Sequence, residues 1–412
     1  MRILFITNYY PPYEVGGYEL LCRDVAQRLA RRGHAIHVLT SDRGVSREAP
    51  AEGPDISRIL HRSPDFDAPT GAAIQFFFSR PNIEVENRRC LHRVIDQFRP
   101  DVISIWNVED LPRCLALEAE SLPGIGVAYW VASRSAAEPD EYWHYWMAPA
   151  QNPWIRPIKR LAGWLALLMR GNRAIRPQMS HVAAVSEYLR NKGVSEGTLP
   201  SHARVICNGV EIEQFYRPVV KQIVGPLRLL QAGRVTEDKG VHTTIEAIGH
   251  LANHHHIRNV HLTIAGSGPD GYLTYLKERI REHGIDGAVT FLGWLPRATI
   301  PDLMAQCHVL VLSTEIQEMF SRAVLEAMAS GLAVIGTLTG GTGELLQDGV
   351  TGLTFTVRDS HDLAGQIRRL ILDPALRERI SLQGQQLVLN RFSIERMVDK
   401  IEKLLQEACC RQ

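Results

Sequence analysis

The chain has 412 residues, 45% of them hydrophobic and 22% charged, with a formal net charge of +1. That length exceeds one ordinary core and fits two domains of about 200 residues each. The near-neutral balance excludes a dominant nucleic-acid-binding field, and seven scattered cysteines without a C-x-x-C pair exclude a disulfide framework and a zinc site. No apolar run is long enough to span a bilayer. The opening MRILFITNYYPPYE is too short in its apolar part for a signal peptide and ends in a Pro-Pro turn, so a cytoplasmic protein is expected.

In chain order, Arg2 to Thr7 reads as a buried parallel strand, and the turn after it leads to Gly16-Gly17. Tyr18, Leu21, Cys22, Val25, Ala26 and Leu29 mark one face of the next helix, and Ile36 to Thr40 forms a second strand. Two glycines between strand and helix let backbone N–H groups approach an anion, although a plain loop explains them equally well. Helix Arg89 to Phe98, strand Asp101 to Ile105 and strand Val127 to Val131 follow. Asp65-Phe66-Asp67 has the form of a metal-binding D-x-D, but no apolar strand leads into it, and it reads as chance. The aromatic, acidic stretch Glu138 to Trp146 suits either a sugar-stacking lip or packing anchors. From Pro153 to Arg170, Trp154, Ile158, Leu161, Leu165 and Leu168 share one helix face, and Arg156, Lys159, Arg160 and Arg170 share the other. Such a helix either lies on an anionic membrane, through 157–170, or packs its apolar face on its own domain, which is the commoner outcome. His181 to Val185 is a further strand, and residues 216–226, with Pro218 and Pro226, read as a linker.

The second half opens with strand Leu227 to Ala232, running into Gly233-Arg234-Val235-Thr236-Glu237-Asp238-Lys239-Gly240 and a helix from about Val241. An arginine and a lysine at a strand tip beside a helix start form a cationic pocket suited to a diphosphate. Strand Val260 to Ala265 leads to a literal G-x-G-x-x-G at Gly266 to Gly271. The acid expected after the next strand of a dinucleotide fold is missing, because Gly293-Trp294 follows that strand. His254-His255-His256 reads as solvated rather than metal-binding. The stretch Ser313 to Phe355 reads as strand end, acidic loop, helix from Ser321 to Ser330, strand Ala333 to Gly336, a Gly340–Gly343 turn and a helix starting near Glu344. Two carboxylates eight residues apart, Glu318 in the loop and Glu326 in the helix, can accept hydrogen bonds from hydroxyl groups. The apolar side of Ile394 to Leu405 marks an amphipathic tail helix.

The string EMF…LEAMASGLAVIGT…GGTGELLQDGVTGL resembles the E-x7-E segment of retaining glycosyltransferases of family 4 with the GT-B fold. It departs from the usual pattern at Ser321 and Gly343, where glycine and proline are frequent. The G-R-x4-K-G string at 233–240 and PP…GG near the start are similar to the family's diphosphate clamp and donor loop. Asn208-Gly209-Val210-Glu211 resembles its last loop before the linker. The resemblance implies an α/β GT-B fold, with two Rossmann-like doubly wound parallel-sheet domains facing a cleft. Their spans would be 1–215 on the acceptor side, linker 216–226, nucleotide-sugar domain 227–390, and a helix in 391–412 crossing back to the first domain.

It further implies that Arg234 and Lys239 hold the diphosphate of a nucleotide sugar, with Gly16 and Gly17 closing over the phosphates. Glu318 would hold the donor sugar, Glu326 the ribose, and Gly266, Gly268 and Gly293 would frame the base. The expected reaction is metal-independent sugar transfer with retention to a saccharide or lipid-linked acceptor, with no cofactor and no nucleic acid, at the cytoplasmic side. Ser104, Trp106, Ser133 and Arg134 stand where the family often has histidine or aspartate, so no acceptor-side catalytic residue is assigned. A nucleotide-sugar 2-epimerase and a non-catalytic binding protein are the alternatives on the same fold.

Overall fold

Short runs of valine, isoleucine and leucine, buried on both faces, build two parallel sheets. The computed structural model describes residues 1–13, 16–42, 55–62, 71–106, 108, 111–133, 153–169, 176–220 and 222–410. The chain divides into two compact units. The first comprises Met1–Ala184, Arg190–Ile206 and the chain from Val398; the second comprises Val185–Leu189 and Cys207–Met397.

The first unit holds β1 (Arg2–Ile6), β2 (Ala35–Ser41), β3 (Ile56–Leu60), β4 (Val102–Ile105), β5 (Gly126–Val131), β6 (Val182–Ala184) and β7 (Arg204–Val205), in the order β3-β2-β1-β4-β5-β6-β7. Every described pairing is parallel. Ile3, Leu4, Phe5 and Ile6 are fully buried, as a central parallel strand covered on both faces must be. The helix Gly17–Arg31 connects β1 to β2 and buries Leu21, Val25 and Leu29. From Val398, the helix Ile394–Cys409 belongs to this unit: Glu402 bonds Arg32 at 2.6 Å and His34 at 2.7 Å. Those bonds hold the Glu402 carboxyl below its ordinary pKa, the His34 contact being the main cause.

The second unit holds β8 (Leu227–Ala232), β9 (Val260–Ala265), β10 (Val289–Gly293), β11 (Val309–Leu312), β12 (Ala333–Thr337) and β13 (Leu353–Phe355), in the order β10-β9-β8-β11-β12-β13. These pairings are parallel too. The helices Val241–His254, Asp270–His283 and Ser360–Leu372 supply Ile245, Leu276 and Ile367 to one core with Leu229, Leu262 and Ile335 of the strands. The expected doubly wound α/β class is therefore observed in both halves.

Several local expectations change. The helix Arg89 to Phe98 is the end of a longer one, Gly71–Phe98, which continues through Pro81. Strand β3 and the helices Cys114–Ser121, Ser360–Leu372 and Pro374–Arg391 were not anticipated. The last two have readable starts, since Asp359 and Asp373 accept the N–H groups of Asp362 and Leu376 at 2.9 Å. No α-helix begins near Glu344; a 3₁₀ turn spans Gly340–Glu344 instead. Glu344 ends that turn because its carboxylate accepts the N–H groups of Glu187 and Tyr188, at 3.1 and 2.9 Å.

Candidate functional site at the strand tips of the second unit

In both sheets the strand order reverses beside the first strand, and the crevice outside the carboxyl ends at that point is where open α/β sheets bind ligands. In the second unit the reversal lies between β8 and β11. After β8 the chain passes Gly233 to Thr236, a 3₁₀ turn Glu237–Lys239, and Gly240, whose left-handed backbone (φ 64°) starts the helix Val241–His254. A Cβ on Gly240 would lie 2.1 Å from the Ser313 carbonyl oxygen, so only glycine lets the two strand-tip loops touch. The buried Ser313 hydroxyl donates to the Gly240 carbonyl at 2.8 Å and accepts from Gln231 Nε2 at 2.8 Å. Glu315 N–H donates to the Asp238 carbonyl at 2.9 Å.

This seam brings together two of the anticipated residues. Lys239 Nζ donates to Glu318 Oε2 at 2.7 Å, across 79 positions of sequence. Both side chains are about a fifth exposed, so the pair contributes little stability and chiefly fixes position. Arg234, on the same loop, is exposed and makes no ion pair or side-chain hydrogen bond among the described residues. Glu318 is held from behind by its backbone: Gly341 N–H donates to the Glu318 carbonyl at 2.7 Å, and Gly340 N–H to Gln317 Oε1 at 2.7 Å. Cβ atoms on Gly340 and Gly341 would lie 2.3 and 2.1 Å from the carbonyl oxygens of Glu318 and Met319.

Glu326 has a different setting. It lies in the helix Arg322–Ala329, capped by Ser321, and is only 4% exposed. Its Oε1 stands 2.6 Å from Arg297 Nη2 and 3.6 Å from Arg322 Nε. Burying a carboxylate without such partners would cost several kcal/mol, roughly 3–5 if one partner of a buried pair is removed. Neither arginine was singled out in the sequence, although Arg322 and Glu326 stand at helical i,i+4 spacing.

The glycine loops divide by role. A Cβ on Gly266 would fall 1.7 Å from the Gly233 oxygen, and one on Gly268 1.8 Å from the Val235 oxygen. The hydrogen bonds Val235 N to Ser267 O (2.8 Å) and Gly266 N to Gly293 O (2.8 Å) close the same seam. These glycines lay backbone on backbone. Gly293 differs, since nothing stands within 4 Å of its Cβ position.

One further network was not legible in the sequence. The Glu315 carboxylate lies 3.2 Å from His242 Nε2 and 2.5 Å from Arg358 Nε, and His242 Nδ1 meets the Tyr272 hydroxyl at 2.9 Å. Burial pushes the Tyr272 hydroxyl up to about 12. A concavity of about 340 Å³ lined by Pro226, Asn259 and Ala288 lies at the amino ends of β8, β9 and β10, away from these groups.

In the first unit, Gly16 precedes the helix Gly17–Arg31, and its N–H donates to Glu19 Oε2 at 3.0 Å. Trp106 Nε1 donates to Ser104 Oγ at 3.0 Å, and its ring lies 4.4 Å from that of Trp130, which lies 5.7 Å from Tyr18. Arg134, the Asp65–Asp67 triplet and the Glu138–Trp146 stretch lie outside the described residues. Among the described residues, no three His, Cys, Asp or Glu side chains are placed to hold a metal ion.

Comparison with known proteins adds to this geometry. A model described as "Glycosyltransferase Family 4" matches residues 15–214, and one described as "Glycosyl transferases group 1" matches residues 213–387. A glycogen synthase of Mycobacterium tuberculosis is 27% identical over 405 residues, 95% of this chain and 91% of that protein. An alpha-monoglucosyldiacylglycerol synthase of Streptococcus pneumoniae is 26% identical over 92% of this chain and 80% of its own. The crystal structure of Anabaena Alr3699/HepE with UDP and glucose superposes with a TM-score of 0.69 at 20% identity, covering 99% of this chain and 100% of that one.

Proposed function

Because the chain belongs to the family 4, group 1 glycosyltransferases with the GT-B fold, we propose that it moves a sugar from a nucleoside-diphosphate sugar to a saccharide or lipid-linked acceptor, with retention and without a metal ion. The observation that carries this reading is the Lys239–Glu318 pair at the reversal of strand order, beside the exposed Arg234. Arg234 and Lys239 bind the diphosphate, and their fixed charge meets the negative charge that grows on it as the sugar–phosphate bond breaks. Glu318 accepts from the sugar hydroxyls, its carboxylate already aimed by Lys239. Glu326 takes the ribose through Oε2, since both of its ion pairs run through Oε1. The open face of Gly293 and the seam at Gly266 and Gly268 border the base. The UDP and glucose bound in the Anabaena neighbour support a nucleoside-diphosphate donor, and the glycogen synthase relative supports a saccharide acceptor.

Calorimetric titration with nucleoside diphosphates, in chelator, tests the assignment. Binding should persist without divalent ions, and Arg234→Ala should weaken it by about 1.5–3 kcal/mol, a loss of roughly ten- to hundredfold in affinity. Unchanged affinity would remove Arg234 from the site, and turnover that collapses in chelator and returns with magnesium would overturn the metal-free mechanism. The anomeric configuration of the product, read by NMR, decides retention.

A further inference from the structure

The helix Arg156–Met169 exposes an apolar stripe that an ordinary surface helix would bury. In a globular domain the apolar stripe faces the core and the charged stripe faces water. Here, of residues 156–165, only Gly163 is buried and only Lys159 half-buried, while Arg156 and Arg160 are exposed. The apolar stripe carries Ile158 (67% exposed), Leu161 (60%) and Leu165, and Trp164 at its border is 58% exposed. Trp154 and Ile155, just before the helix, are also exposed. Among residues 156–165, the apolar face expected to pack inward is exposed.

We infer that this helix docks in the plane of an anionic membrane surface, its apolar stripe in the acyl boundary and its cations at the level of the headgroups. Charge complementarity selects that occupant. Between residues 142 and 186 the chain carries Arg156, Lys159, Arg160, Arg170, Arg173 and Arg176 and no acidic residue, although its overall balance is near neutral. Arg156, Lys159 and Arg160 lie on the helix itself; basic residues on an amphipathic helix match anionic lipid, and tryptophan is favoured at the interface between headgroups and hydrocarbon. The helix has 14 residues, about 21 Å at 1.5 Å per residue, too short to cross a bilayer. It lies on the membrane rather than through it. The inference does not depend on the donor-site reading, because lipid binding is measured without any substrate.

Co-sedimentation of the full-length protein with phosphatidylglycerol–phosphatidylcholine vesicles tests it, with pure phosphatidylcholine vesicles alongside. The protein should pellet with the anionic vesicles, far less with the neutral ones, and release as salt rises. Reversing Arg156, Lys159 and Arg160 to glutamate should lower partitioning by about a hundredfold or more. Ile158→Ser with Leu161→Ser should also release the protein while leaving its thermal midpoint and nucleoside diphosphate affinity intact, since those side chains already face water. A wild type that stays in the supernatant overturns the proposal, as does equal binding to neutral and anionic vesicles. Light scattering that shows a dimer broken by Ile158→Ser and Leu161→Ser would give the face to a second copy instead.

Discussion

The two sheets share one winding, 3-2-1-4-5-6 in each unit with a seventh strand in the first, yet their strand tips hold opposite chemistry. Beyond β8 and β11, glycines bring backbones into contact, and charged side chains ride on the seam: Lys239 with Glu318, and Glu315 with His242 and Arg358. Beyond β1, β4 and β5, the corresponding place is filled by Tyr18, Trp106 and Trp130 around a Trp106–Ser104 hydrogen bond. The same topology thus fixes where a site lies but not what it does; side-chain identity decides that. On the proposed reading, a diphosphate would meet Lys239, held by Glu318, and the exposed Arg234. The aromatic tips of the first unit are packed core, with Trp106 and Trp130 only 4% and 2% exposed.

The sharpest way to break this contrast is to attack the seam. Gly266→Ala places a Cβ 1.7 Å from a backbone oxygen, at φ 153°, and should cost more than about 4 kcal/mol in denaturant unfolding. Gly293→Ala, with open space around it and φ 68°, should cost only about 1–2 kcal/mol, the strain of a left-handed backbone. Equal losses would show that the backbone contact at Gly266 is not what holds the loops.

Acid acts on both units, since burial also lowers the pKa of His37 in the first, but the largest shift of a histidine among the described residues lies in the second. His308, just before β11, accepts the Arg228 N–H through Nδ1 at 3.0 Å. Burial first, then the charges of Arg228 and Arg377, lower its pKa from 6.5 to about 4. Between those values the unfolded chain binds a proton that the folded chain refuses, so stability rises with pH. The contribution, on the order of 3 kcal/mol, is complete above about pH 6.5 and is lost as pH falls through 4. His250 acts in the same sense: burial and then His361, His254 and His283 depress its pKa. His308→Asn should flatten the acid limb of the stability profile over that window; an unchanged slope would assign the limb to other groups.

Within the charged tips, the two glutamates should part. Glu318→Gln loses the Lys239 ion pair and the aimed acceptor beside the reacting sugar. It should lower kcat by one to two orders of magnitude, about 1.4–2.8 kcal/mol of barrier. Glu326→Gln, in a residue assigned to the non-reacting ribose, should chiefly raise the donor KM. Steady-state kinetics at saturating acceptor reads the split, and wild-type constants in both variants would dismiss the pair from the site. The smallest expected effect lies in the first unit. Trp106→Phe removes one buried hydrogen bond, about 1 kcal/mol of stability, and should leave nucleoside diphosphate affinity unchanged. A large loss of that affinity would erase the contrast between the units.

What the sequence by itself determined is everything that local pattern controls. Aliphatic runs placed β8, β9 and β12 within a residue or so, because a strand covered on both faces must be apolar throughout. The tip composition Gly233 to Gly240 and the eight-residue spacing of Glu318 and Glu326 were legible for the same reason. Tertiary structure alone decided which charges meet. Lys239 finds Glu318 across 79 positions, and Arg297 finds Glu326 from another connection, through contacts that no helical or strand period encodes. It also decided the direction of the helix Arg156–Met169. Amphipathic spacing defines two faces, but only the folded chain shows that Ile158, Leu161 and Leu165 are exposed.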